Sequence, residues 1–199
     1  MLRYNFNFAT EVWLKNMNET NLSVREIQEQ DIESLSNYWF NADNDFLITM
    51  GVDLAKMRTR SEWEAMLMEQ INSTVENKKS YCVIWLLNNK TVGHSNINKI
   101  KIGEEAYMHL HLWNSDSRKK GLGIEFIKLT LPYFFEKFKL QNLFCEPYAL
   151  NPAPNKAIEK VGFEFVKKYT TTPGFINFEQ EVNLWLMTSG KFKMLNYKL

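Results

Sequence analysis

The chain has 199 residues, 45% of them hydrophobic and 14% aromatic, which is ample for the core of one domain. Its formal net charge of +1 leaves no global field to steer it to nucleic acid, an anionic membrane or a polycationic substrate. No apolar run is long enough to span a bilayer, and Met1-Leu2-Arg3-Tyr4-Asn5 lacks the apolar region of a signal peptide, so the expectation is a cytoplasmic chain.

Residues 1–20 are aromatic and polar by turns and read as an N-terminal extension, an extra strand or a short helix. Leu22 to Glu26 reads as a strand. Asp31 to Phe40 reads as a helix with Ile32, Leu35, Tyr38 and Trp39 on one face. Asn41 to Leu54 is a polar–aromatic loop with room for a helical turn. Ser61-Glu62-Trp63-Glu64 has the form of a capping box, and the helix it opens carries Trp63, Met66, Leu67, Ile71 and Val75 at helical spacing. Ser80 to Leu87, the turn Asn88-Asn89-Lys90 and Thr91 to Ile100 make a hairpin. Glu105 to Trp113 is the next strand. The spacing predicts a helix over 121–138, kinked or shortened at Pro132. Asn142 to Tyr148 reads as a strand and Pro154 to Val161 as a short helix. Phe163 to Tyr169 and Glu179 to Met187 close the sheet, and 188–199 form an amphipathic tail that would pack on the domain or on a second subunit. The two cysteines, Cys82 and Cys145, show no metal or disulfide spacing and read as buried free thiols. The sum is a single α/β (α+β) domain over 1–199. Its mixed, mostly antiparallel sheet has about seven strands and is flanked by about four helices.

Between the strand ending at Trp113 and the helix from Gly121 lies Arg118-Lys119-Lys120-Gly121-Leu122-Gly123. The first N–H groups of a helix lack internal partners and carry the positive end of its dipole. Glycine lets an anion approach the backbone, so this turn suits a phosphate or pyrophosphate. It is neither a Walker A loop nor the three-glycine dinucleotide fingerprint. Some thirty residues on comes Asn151-Pro152-Ala153-Pro154-Asn155-Lys156-Ala157-Ile158-Glu159-Lys160-Val161-Gly162-Phe163.

Arg-x-x-Gly-x-Gly resembles the acyl-CoA pyrophosphate loop of the GNAT superfamily of N-acetyltransferases. The Asn151 segment, ending in Gly162-Phe163, resembles that family's second motif, in the same order and spacing. Leu22-Ser23-Val24-Arg25 with Asp31-Ile32, and Thr91-Val92-Gly93-His94, extend the likeness over roughly residues 21–187, nearest to the branch of ribosomal-protein N-terminal acetyltransferases. The resemblance implies acetyl transfer from acetyl-CoA to a primary amine by direct attack in a ternary complex, as a monomer or homodimer, without metal, nucleic acid or membrane. It implies that Arg118, Lys119, Lys120, Gly121, Leu122 and Gly123 hold the pyrophosphate. Backbone N–H groups around Leu112, Trp113 and Asn114 would contact the thioester carbonyl, and Asn151, with Asn155 one turn on, the cofactor. Asn151 reads equally as a helix N-cap.

The chain departs from the family where Met108 and Ile158 stand at the positions of a common glutamate base and a common tyrosine acid. The fourth strand instead carries His109 and His111, which share a face, and the third histidine, His94, lies on the preceding strand. Imidazole titrates near neutral pH, so His109 or His111 is the expected base, against a reading as ordinary hydrogen-bonded strand residues. Tyr148 is the first candidate acid for the thiolate, ahead of Tyr169 and Cys145, and Glu146 is an alternative base. Trp39, Phe40, Phe46, Trp63 and Phe175 are expected at the acceptor site or in the core. A catalytically impaired acyl-CoA-binding regulatory protein of the same fold is the other reading. A nucleotide-binding protein would need an acidic pair that Asp116 alone does not supply.

Overall fold

A computed structural model describes residues 21–113 and 121–195. In chain order the elements are β1 (Leu22–Glu26), α1 (Ile32–Phe40), α2 (Asn44–Thr49), α3 (Arg60–Asn72), β2 (Ser80–Leu87), β3 (Lys90–Lys101) and β4 (Glu105–Leu112). After these come α4 (Leu122–Phe138), β5 (Asn142–Cys145), α5 (Pro152–Val161), β6 (Glu164–Thr171), β7 (Gln180–Thr188) and α6 (Ser189–Met194). The seven strands form one sheet in the order β1-β2-β3-β4-β5-β7-β6. Every pairing is antiparallel except β4 with β5. The β2–β3 hairpin closes through Asn88 and Asn89 at φ 51° and 62°, the left-handed pair that matches the twist of the strands.

Helices cover both faces of the sheet. On one, α4 buries Phe126, Phe134 and Phe138 against Val83, Ile97 and Met108. Trp85 stacks on Phe126 at 5.1 Å and donates its indole N–H to Thr130 at 2.8 Å, fixing α4 on β2. On the other face, α1 and α3 bring Leu35, Trp39, Trp63 and Leu67 onto Cys82 and Ile84. The cores sit on opposite faces because strand side chains alternate.

The seven-stranded mixed sheet is the expected one, with local differences. Thr59, not Ser61, caps α3: its Oγ1 accepts from Glu62 N–H at 3.3 Å, and Glu62 returns a bond to Thr59 N–H at 2.9 Å. Two short helices add to the expected set. Asp43 caps α2, accepting from the amides of Asp45 and Phe46. In the tail, α6 packs on the domain through Phe192, stacked on Phe135 at 4.5 Å. Pro132 does not shorten α4, which runs for 17 residues with Pro132 buried, its packing on the sheet outweighing the one lost hydrogen bond. Strand β5 stops at Cys145, three residues short of Tyr148, because Pro147 has no N–H to give a ladder. Cys82 and Cys145 are buried free thiols. Residues 1–20, with the extra strand or helix expected there, lie outside the described residues.

Candidate active site

Strands β4 and β5 pair only from Glu105↔Asn142 to Met108↔Cys145, and beyond that point they part. Met108 and Cys145 turn into the core at 1% and 3% exposure. Side chains alternate along a strand, so the next residue on each side, His109 and Glu146, faces the opposite way. Both line a cavity of about 720 Å³. Its floor is β3 and β4, its walls come from α1 and α3, and the β6–β7 loop with Gly174, Phe175 and Ile176 covers it. That loop is tied down by Asp53 N–H to Ile176 carbonyl at 2.7 Å and by the Asn177 amide to Gly51 carbonyl at 2.9 Å. Gly51 sits at φ 85°, and a Cβ there would come within 2.1 Å of the Gln180 side chain.

All three histidines line this cavity. His94 lies opposite His111 in the ladder, their rings stacked at 4.7 Å. His94 Nδ1 accepts the Trp113 indole N–H at 2.7 Å, and His111 Nδ1 lies 3.2 Å from the Tyr38 hydroxyl. Burial, with a smaller contribution from His109, lowers the His94 pKa to about 3. Burial, then the nearby Lys99 ammonium, lowers that of His109 to about 4. Both shifts place titration below the near-neutral range expected for a free imidazole, because desolvation penalises the imidazolium. His109 Nε2 is buried and has no hydrogen-bond partner among the described residues.

Glu146 is buried, and its Oε1 accepts the Tyr169 hydroxyl. Its Oε2 lies 3.7 Å from the Lys99 ammonium. Lys99 reaches it from a register shift in β3, where its φ of 49° re-aims the side chain over the Tyr107 ring. Two of the three acid candidates are engaged elsewhere. Tyr169 donates its hydroxyl to Glu146, and burial with that carboxylate pushes its pKa up. The Cys145 thiol donates to the Met108 carbonyl at 3.1 Å, and burial pushes it up. Tyr148 lines the cavity, held by an isolated bridge to Val182.

The expected donors around Leu112 divide by strand geometry. Trp113 gives its N–H to the Val92 carbonyl at 2.8 Å, which removes it as a carbonyl donor. Amides alternate direction along a strand, so those of Leu110 and Leu112 face the side where β5 has parted. Asn151 is the α5 N-cap residue, but its side chain makes no cap hydrogen bond and lines the cavity. The Asn155 side chain is engaged within the fold. It is buried, donating to the carbonyls of Tyr148 and Asn151 and accepting from Asn183 and Trp185. Gly121 precedes α4 at φ 73°, and a Cβ at Gly121 or Gly123 would meet nothing within 4 Å among the described residues. Leu122 is the first residue of α4. Asn114, Arg118, Lys119 and Lys120 lie outside the described residues.

Of the expected wall residues, Trp39, Trp63 and Phe175 line the cavity and Phe40 packs on Trp63 at 6.1 Å. Phe46 is not among the lining residues. Lys99, Arg58 and Gln180 belong to no sequence motif and join the site only through the fold. Among the described residues, no three His, Cys, Asp or Glu side chains group as a metal site, and no helix is long and apolar enough to cross a membrane.

The same architecture occurs in solved structures. Aminoglycoside acetyltransferase AAC(6')-Ib in complex with coenzyme A superposes with TM-score 0.67 at 14% identity, over 87% of this chain and 98% of that one. The ribosomal L7/L12 alpha-N-protein acetyltransferase RimL gives 0.69 at 13%, over 85% and 95%. Spermidine N-acetyltransferase from Vibrio cholerae gives 0.70 at 18%, over 86% and 98%. At these identities the likeness is one of fold. No curated protein sequence matches significantly. The sequence model of the acetyltransferase (GNAT) domain matches residues 21–164, from β1 through the parted strands and both glycine motifs to the start of β6, and the chain belongs to that family.

Proposed function

We propose that the protein transfers an acetyl group from acetyl-CoA to a primary amine, by direct attack while both substrates are bound. One observation carries the reading: His109 and Glu146 emerge together where β4 and β5 part, in a cavity that an amine can enter. Coenzyme A complexes of the same fold support the choice of donor. The fit is good at the donor end. At the first amides of α4, near Gly121 and Gly123, no described residue crowds the space a pyrophosphate would take, and Arg118, Lys119 and Lys120 add charge immediately before them in sequence. The Leu110 amide, on the side where β5 has parted, is the donor for the thioester carbonyl, and loss of such a donor typically costs about 10²–10³ in rate.

The amine nitrogen bonds to the carbonyl carbon and the carbon–sulfur bond breaks. His109 Nε2, neutral and without a partner among the described residues, takes the amine proton. A base of low pKa is a weak one, so Glu146 contributes separately: its carboxylate holds the ammonium, which gives up one proton to solvent, and the free amine then attacks and loses its second proton to His109. Tyr148 supplies the proton to the departing thiolate. Met108 and Ile158, at 1% and 0% exposure, are core residues and take no part in proton transfer. A thiol-release assay with acetyl-CoA and an amine panel tests the reading. Amine-dependent release that His109→Gln and Glu146→Gln each suppress supports it. Release that neither variant alters contradicts the assignment.

A further inference from the structure

The acceptor cavity has a chemical character of its own, and the inference drawn from it rests on the acetyl-transfer reading above. From His111 on β4, a row of rings leads outward: Trp39 at 4.9 Å, Trp63 at 5.5 Å from Trp39, and Phe175 at 5.9 Å from Trp63. Phe175 ends the row at 52% exposure, and the Arg58 guanidinium lies over its ring at 5.6 Å. One wall is therefore aromatic from the floor to the outer end.

Charge is scarce inside. Of the carboxylates that line the cavity, Glu62 and Glu69 are exposed. Glu62 is occupied by Thr59 in the capping box. Among the described residues only Glu146 is a buried carboxylate of the lining, and Lys99 already stands 3.7 Å from it. Arg58 and Lys79 also line the cavity and bring positive charge. A ligand with several ammonium groups would leave most of them desolvated without a counter-charge, and would meet Arg58 at the outer end. One ammonium, seated at Glu146, is what the cavity accommodates.

We infer that the acceptor is a compact primary amine with a single positive charge. Its apolar body is about the size of an aromatic ring. The ammonium faces His109 and Glu146, the body lies on Trp39 and Trp63, and Phe175 with Arg58 covers its far end. Polyamines and aminoglycosides are excluded as preferred substrates by the same features.

The experiment measures kcat/KM at saturating acetyl-CoA for tyramine, methylamine, spermine and kanamycin, with acetyl-CoA affinity determined separately by calorimetry. Tyramine is expected to exceed methylamine by about 10–200-fold, the range that apolar pocket contacts supply, and to exceed both polycations. Phe175→Ala, at an exposed position where folding is insensitive, is expected to raise the KM for tyramine several-fold without changing acetyl-CoA affinity. Arg58→Glu is expected to raise the activity toward spermine. Preference for spermine or kanamycin, no turnover of tyramine with acetyl-CoA bound, or a Phe175→Ala enzyme with unchanged KM would each overturn this inference alone. Failure to bind acetyl-CoA would overturn the acetyl-transfer reading and this inference with it.

Discussion

Replacing Asn155 with alanine tests how the site is held together. The Asn155 side chain makes four hydrogen bonds: to the carbonyls of Tyr148 (3.1 Å) and Asn151 (2.7 Å), and from Asn183 Nδ2 (2.9 Å) and Trp185 Nε1 (2.9 Å). These losses differ in cost. The Tyr148 carbonyl keeps the Asn151 N–H at 3.0 Å, and the half-buried Asn183 amide can turn to water. The Trp185 indole N–H is buried and loses the partner it has, at a cost of about 1–3 kcal/mol. Adding about 1 kcal/mol for the remaining bonds gives about 3 kcal/mol in all. For a domain of this size that is a fall in Tm of roughly 6–12 °C. Urea unfolding of Asn155→Ala, Trp185→Phe and the double variant supplies the assay, with coincident fluorescence and circular dichroism transitions as the two-state check. In the Trp185→Phe background no orphan donor remains, so Asn155→Ala should cost about 1–2 kcal/mol less. Equal cost in both backgrounds would refute the assignment of the penalty to the indole.

Three further outcomes are expected. His109→Gln should lower kcat by about 10²–10⁴ with acetyl-CoA affinity unchanged. Because His109 is neutral well below pH 6, the native rate profile between pH 6 and 9 should follow ionisation of the acceptor amine, and a limb that disappears in His109→Gln would show that the ring titrates there. Stability should fall as pH drops from about 6.5 toward 4. The folded-state pKa values of His94 and His109, about 3 and about 4, lie below the free value, so the unfolded chain binds more protons in that window. Each histidine adds a slope of up to about 1.4 kcal/mol per pH unit there, and urea midpoints at pH 7, 5.5 and 4.5 should fall less steeply in variants that lack either ring. Gly93→Ala would put a Cβ 2.5 Å from the His111 carbonyl oxygen and 2.9 Å from the Trp85 ring, which should cost about 1–3 kcal/mol; a native-like unfolding midpoint would show that β3 and β4 part freely.

The elements most legible in the sequence are those whose signal is local. The β2–β3 hairpin is readable because Asn88-Asn89 separates two β-rich runs, and α4 because its apolar spacing persists across Pro132. His109 and His111 fall on one strand face by period alone. Other parts depend on register, which no local pattern carries. That β4 and β5 separate after Met108 and Cys145 follows from Pro147 and the pairing together, and only then do His109 and Glu146 become neighbours in one cavity. The left-handed φ of Lys99 falls on the lysine itself and not on the neighbouring Asn98, which a sequence reading would favour for it. Asn155 matches the spacing of a site residue, yet its amide points at four internal partners. The cap of α3 lies two positions before Ser61 because Thr59 and Ser61 both precede glutamates at near-capping distance, and local pattern alone does not choose between them. The depression of His109 comes from burial, which composition does not reveal.

The central claim is that acetyl-CoA is held at the turn into α4. Calorimetric titration with acetyl-CoA of the native protein and of Gly121→Glu tests it directly. A Cβ at Gly121 meets no atom of the described residues within 4 Å, so the variant should fold at the small cost of a left-handed side chain, checked by its Tm. Saturable binding by the native protein, weakened at least about tenfold by the added carboxylate at the helix N-terminus, is the predicted result. Equal affinity in the two proteins, or no binding by the native one, would contradict the claim.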